Sequence, residues 1–154
     1  MFRKLILFIA LPFLVSAVPG KNENDKTYNI LFVGNSLTYA NDLPEIIKAI
    51  GQEDNVTIAF NILANPDYSL EDHWSEGKVQ MEIESGKYDF VVAQQGPSAL
   101  PASQQLLLEY SKKLTQICNK SKVRLALYMV WPSKSRSFDH DAVISSYTNA
   151  AAAT

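Results

Sequence analysis

Residues 28–38, YNILFVGNSLT, decide how this chain of 154 residues is read. Tyr28 to Val33 is a β-branched and aromatic run ended by Gly34 and Asn35, the pattern of a buried strand entering a turn. Gly34 permits a close backbone approach or an unusual φ. Ser36 then falls just past the strand end, with its hydroxyl at the edge of the sheet and near the backbone N–H groups of the following segment. A nucleophilic serine needs that exposure, together with a base and amide donors for an oxyanion. Asn35, Ser36 and Thr38 are equally the residue types that make turns and helix caps. On this stretch alone, both readings of Ser36 stand.

Outward from it, strands and helices alternate. Asp42 is a candidate N-cap, Pro44 suits a first helical turn, and Ile46, Ile47 and Ile50 form an apolar stripe. Val56 to Leu63 reads as a second strand, and residues 65–69 (NPDYS) as a loop by their turn chemistry. A short helix over Lys78 to Ser85 leads to a third strand, Tyr88 to Ala93. Leu106, Leu107, Tyr110, Leu114 and Ile117 lie at helical spacing within Pro101 to Asn119. Val123 to Val130 reads as a fourth strand, and the chain turns helical again from His140. This order predicts a parallel sheet with helices on both faces, whose functional edge lies beyond the carboxyl ends of the strands. The loops Gly34 to Asn41, Asn65 to Trp74 and Gln94 to Ser98 converge there.

Composition narrows the function. A hydrophobic fraction of 47% suits a globular core, and a net charge of −2 argues against a general nucleic-acid binder. The single cysteine, Cys118, excludes an intrachain disulfide and sits on the apolar side of its helix, as a buried structural thiol would. Neither glycine-rich phosphate motif occurs, and no Lys or Arg stands between Asn35 and Ile47, so nucleotide binding is not expected. Asp139, His140 and Asp141 lack a recognised ligand spacing; no metal and no cofactor is expected.

The chain opens with a charged pair, Arg3 and Lys4, an apolar run from Leu5 to Val15, and small residues before a cleavage point after Ala17. Residues 1–17 therefore read as a signal peptide. The apolar run falls short of the roughly 20 residues that span a bilayer. A secreted or periplasmic protein with no stable membrane anchor after cleavage is expected. Residues 18–27 read as a linker, and residues 28–154 as the folded domain.

At these residues the chain resembles the SGNH (GDSL-like) hydrolases, in a secreted subgroup. ILFVGNSLT (30–38) with NDLP (41–44) resembles the first block, with Gly-Asn-Ser in place of Gly-Asp-Ser. SLEDHW (69–74), YDFVVAQQGPS (88–98) and LALYMVWP (125–132) follow in the family's order. The resemblance implies an SGNH hydrolase fold, a three-layer α/β/α sandwich around a parallel, flavodoxin-like sheet, with the last strand and the histidine block missing. It makes Ser36 the nucleophile and its backbone N–H an oxyanion donor. The glycines of block two would fall at Pro66 and Asp67, so Asp67 N–H is the donor left there. In place of the block-three asparagine stand the amides of Gln94 and Gln95 and the hydroxyl of Ser98. Asn35, His73, Trp74 and Trp131 are the expected substrate-lining residues.

The family's catalytic histidine is preceded by an aspartate three residues earlier. Here Leu70 precedes His73 and Ser137 precedes His140 at that spacing. Asp139 beside His140 is the remaining acid–base pairing to consider. The expectation is thus a C-terminally truncated, partial SGNH-like domain, inactive alone. Its complete form would be an esterase acting on an acylated carbohydrate or another small ester. The alternative is a noncatalytic relative that binds a glycan in the same cleft through Trp74 and Trp131. A flavodoxin- or receiver-like domain shares the topology but needs a phosphate loop or acidic pocket that the sequence lacks. The oligomeric state is open.

Overall fold

The computed structural model describes residues 26–154; the expected signal peptide, residues 1–17, and residues 18–25 of the expected linker lie outside the described residues. Four parallel strands form one sheet in the order β2-β1-β3-β4. They are β1 (Lys26–Gly34), β2 (Val56–Ala64), β3 (Phe90–Ala93) and β4 (Arg124–Leu127). Val33 pairs with Leu63 and Ala93, and Ala93 with Leu127, so the strand ends lie level at one edge.

Side chains alternate between the two faces of β1. Leu31 and Val33 point into the main core with Val91 and Ala93 of β3. That core is closed by α3 (Leu70–Glu76), α4 (Lys78–Glu84), α5 (Pro101–Ser121) and α6 (His140–Ala152). Leu107, Leu114, Val143 and Tyr147 are the buried contributions of the last two. Phe32 lies on the opposite face, edge-to-face with Phe60 of β2. There α2 (Leu43–Glu53) covers the sheet so closely that a Cβ on Gly51 would stand 2.9 Å from Ile58. The result is three layers, as the alternating pattern predicts. No helix among the described residues is long and apolar enough to cross a membrane.

The differences from the sequence expectation have local causes. β1 begins at Lys26, two positions into the expected linker, because β2 runs alongside it from Val56. β4 stops at Leu127, short of Val130. Tyr128 N–H still reaches the Ala93 carbonyl, but the backbone N–H and carbonyl of Gln95, next along the neighbouring strand, are bonded to the Tyr147 hydroxyl, leaving β4 no further partner. Asp42 stands at the N-cap of α2 in the left-handed region (φ 54°) and makes no side-chain cap bond. The first turn of α2 instead has Pro44, whose missing N–H needs no partner there. Residues 70–74, expected within a loop, begin α3. Ser69 and Asp72 form a capping box, each side chain accepting from the other's backbone N–H.

Cys118 is buried in the core and burial alone pushes its thiol up to about 11. The unfolded thiol, near 9, loses its proton first as pH rises. The stabilising effect is therefore complete below pH 9 and lost as pH climbs through 11. Two results are expected: no reaction of the folded protein with a thiol reagent at pH 8, and a shallower loss of stability in Cys118→Ala than in wild type between pH 9 and 11. Urea titrations at each pH check the second.

Candidate active site at the carboxyl edge of the sheet

The turn after β1 is built around Gly34. A Cβ there would stand 2.3 Å from Thr38 Oγ1 and 2.6 Å from Gln94 Oε1, so only glycine fits. Gln94 is fully buried, and its Oε1 accepts from Asn35 N–H at 3.1 Å and from the Thr38 hydroxyl at 2.7 Å. Two donors on one oxygen fix the amide's orientation; Nε2 on its far side is buried with no partner among the described residues. The Asn35 side chain accepts from Leu37 N–H at 3.0 Å, capping the four-residue helix α1 (Ser36–Tyr39). Its Nδ2 donates to the Tyr68 carbonyl at 3.0 Å and so ties the first loop to the second. Ser36 is the first helical residue, half-buried at the sheet edge.

Beside this turn lies an open cavity of about 500 Å³. Asn35, Asp67, Gln95 and Ser98 all line it, so four of the sequence-selected residues meet at one place. Asp67 and Ser98 both hold left-handed backbone, φ 60° and 57°. Such angles are uncommon outside glycine and tend to occur where function demands them. Asp67, which stands where the family resemblance has a glycine, thus holds backbone of the kind glycine adopts most readily.

Of the side-chain donors expected from the third loop, Gln94 Nε2 is fully buried, and those of Gln95 and Ser98 are already engaged. Gln95 Nε2 donates to Ser98 Oγ at 3.2 Å and to the Ser103 carbonyl at 3.0 Å, and its Oε1 accepts from Leu70 N–H at 3.3 Å. Ser98 Oγ donates to the Gly96 carbonyl at 2.9 Å. Neither Gln95 nor Ser98 has a side-chain proton left for an oxyanion; their amide and hydroxyl hold the loop instead. Tyr147 of α6 secures the same loop from below, donating to the Gln95 carbonyl. Burial raises its hydroxyl far above the ordinary phenol range, so it remains a donor.

Neither histidine is hydrogen-bonded to Ser36 among the described residues. His73 is buried in α3, with Nε2 2.6 Å from the Gly34 carbonyl and its ring against Tyr68. A carbonyl only accepts, so Nε2 carries the proton and the ring braces the turn rather than lining the cavity. Trp74 packs against the core beneath Lys113. Trp131 is 58% exposed and stacks on His140 at 4.8 Å, outside the cavity wall. Asp139 is held by Arg136 Nε at 2.6 Å, and His140 Nδ1 faces Asp141 at 3.7 Å. The Asp139–His140 pairing is therefore not formed. Among the described residues no group of three His, Cys, Asp or Glu side chains is placed to hold a metal ion.

Sequence reasoning missed two features here. One is Arg136 with Asp139, which close the cavity from the fourth loop; nothing local in the sequence marks them. The other is α3, which the spacing of Ser69 and Asp72 signals as a capping box. Burial and the two accepted bonds make Gln94→Met expensive, about 1–3 kcal/mol, because Asn35 N–H and Thr38 Oγ1 lose their acceptor. Gly34→Ala should cost more than Gln94→Met, since both Thr38 and Gln94 must shift. Chemical denaturation of the two variants against wild type measures both.

No protein-family model matches this chain, and no curated protein matches it. Solved structures do. An SGNH hydrolase from Slackia heliotrinireducens superposes with a TM-score of 0.68 at 20% identity, covering 82% of this chain and 75% of that one. The family 3 carbohydrate esterase of Clostridium thermocellum gives 0.62 at 16% identity over 82% and 73%. The lipase/acylhydrolase of Enterococcus faecalis gives 0.61 at 17% identity over 82% and 72%. Four level parallel strands between helical layers, with a Gly-Asn-Ser turn at the end of β1, thus make up the fold of the SGNH hydrolases.

Proposed function

We propose that this chain carries the nucleophile of a secreted serine hydrolase, an esterase with Ser36 as the attacking residue. The observation that carries the reading is the turn itself: Gly34, Thr38 and Gln94 interlock to hold Ser36 at the sheet edge, next to Asn35, which lines the cavity. In attack, the Ser36 oxygen would bond to the ester carbonyl carbon and its proton would pass to a base. The carbonyl oxygen would gain the negative charge, facing the backbone N–H groups of Ser36 and Asp67. Side-chain help from Gln95 and Ser98 is not part of this reading, because their donors are spent. The fold's relatives named as esterase and acylhydrolase support an ester substrate, an acylated carbohydrate or another small ester.

The base is not one of the two histidines in the positions they hold. His73 Nε2 donates a hydrogen bond to the Gly34 carbonyl and His140 stacks on Trp131. This chain is accordingly proposed to turn over esters at near-background rates by itself. The same observation favours a second reading, a noncatalytic binding relative. Its proposed glycan contacts, Trp74 and Trp131, do not line the cavity.

A fluorophosphonate probe separates the two. Labelling of the folded chain that disappears in Ser36→Ala supports a nucleophile; its absence at long incubation and high probe concentration favours the binding protein. Turnover of p-nitrophenyl acetate should stay within about twofold of the Ser36→Ala variant. Strong Ser36-dependent turnover would show that a base is within reach of Ser36 after all.

A further inference from the structure

We propose that β2 is a pairing edge for a second copy of this chain. Two β2 strands meet antiparallel about a two-fold axis at Phe60 and join the two four-stranded sheets into one. The proposal is independent of Ser36 and of any catalysis. β2 ends the sheet, and over Val56–Ala64 its backbone hydrogen bonds among the described residues run only to β1. Its outer side carries N–H and C=O groups with no protein partner among those residues, which is a template for another strand. Edges are ordinarily kept from pairing by charge, proline, a bulge or shortness. Residues 56–64, VTIAFNILA, contain no charged residue and no proline. The register with β1 runs unbroken from Val56 to Ala64, so no bulge turns the edge away. At nine residues β2 is more than twice as long as β4, the other end of the sheet, which has four and opens with Arg124. A two-fold pairing uses up β2 in both copies and leaves only the two short β4 edges, so it closes as a dimer.

The strand is self-complementary about Phe60, its midpoint. A two-fold axis perpendicular to the sheet reverses the second strand and keeps α2 on the same face in both copies. On that face stand Ile58 against Gly51, Phe60 beneath Lys48, and Ile62 by alternation. Phe60 then meets its own copy, and Ile58 lies opposite Ile62 of the partner subunit. Ile62 is 40% exposed for want of such a neighbour. Cross-strand apolar and aromatic pairs of this kind are what stabilise a sheet. On the other face Ala59 lies opposite Asn61 of the partner subunit, two short side chains that meet without a clash. Charge does not oppose the contact: Lys48, 5.7 Å from the Phe60 ring, is already matched by Glu45 at 3.1 Å.

Sedimentation velocity and crosslinking test the pairing. The protein should sediment as a dimer at about 100 µM and dissociate on dilution toward about 1 µM, as a small interface requires. Ile62→Lys places a guarding charge on the edge and should weaken dimerisation at least about tenfold. Ala59→Lys, at an exposed site on the other face, provides the same test should the first variant disturb the packing under α2. Cysteines read the register, since Cys118 is buried and does not compete. Under mild oxidation, Ala59→Cys combined with Asn61→Cys should give a disulfide-linked dimer. Thr57→Cys alone should not, because the two Thr57 positions stand about 20 Å apart in this register. The proposal is overturned by a monomer at every concentration, by assembly beyond a dimer, or by a dimer that neither lysine variant weakens. Crosslinking of Thr57→Cys as readily as of the double variant overturns it too. A monomer in which the outer amides of β2 exchange slowly would show another segment of the chain holding the edge instead.

Discussion

Everything at the carboxyl edge of this sheet depends on the absence of a side chain at Gly34. The space that a Cβ would take is occupied by the Thr38 hydroxyl and by the Gln94 amide oxygen, which bond each other at 2.7 Å. The Gly34 carbonyl meanwhile receives His73 Nε2 at 2.6 Å and the backbone N–H of Asn65 at 3.3 Å. One residue thus joins the ends of β1, β2 and β3 and the helix α3. Buried polar groups of this kind are expensive when unmatched and specify a single arrangement when matched. The turn that bears Ser36 inherits its rigidity from that packing.

A second network holds the opposite wall. Gln95 is bonded on three sides by side chain and again through its backbone to Tyr147, so β3, α3, α5 and α6 meet around it. The consequence for chemistry is indirect. Gln95 and Ser98 are of the types that stabilise an oxyanion and stand in the right loop, yet their side-chain protons hold the loop in shape. Around them the cavity is lined by Pro97, Ala99, Leu100, Leu106 and Pro132 together with the charged side chains of Asp67, Arg136 and Asp139.

The strands were legible because burial on two faces demands continuous apolar runs, and YNILFV and DFVVA are such runs. Their ends were less so. Where β4 stops depends on where β3 leaves it, and that is set by Tyr147 of α6, which takes both backbone groups of Gln95. Asp42 has the composition of a cap, but its backbone is left-handed and its side chain caps nothing. The capping box of α3 was present in the spacing of Ser69 and Asp72; the neighbouring turn residues Asn65, Pro66 and Asp67 drew the reading toward a longer loop. Of the selected site residues, Asn35, Asp67, Gln95 and Ser98 come together because each directly follows or closely trails a strand. Trp74 and Trp131 do not, since an aromatic side chain reads alike in a core and at a binding surface.

The sequence by itself determined the alternation of elements, the parallel sheet, and a serine set at the end of its first strand. Those are consequences of local patterning: apolar period, turn residues and chain order. Only the tertiary structure decided which polar groups are free. Hydrogen bonds between Gln94 and Thr38, Gln95 and Ser103, and His73 and Gly34 link residues 8 to 56 positions apart in the chain. A donor's availability is settled by its three-dimensional neighbours, and amide, hydroxyl and imidazole groups look the same in sequence whether they brace a wall or meet a substrate.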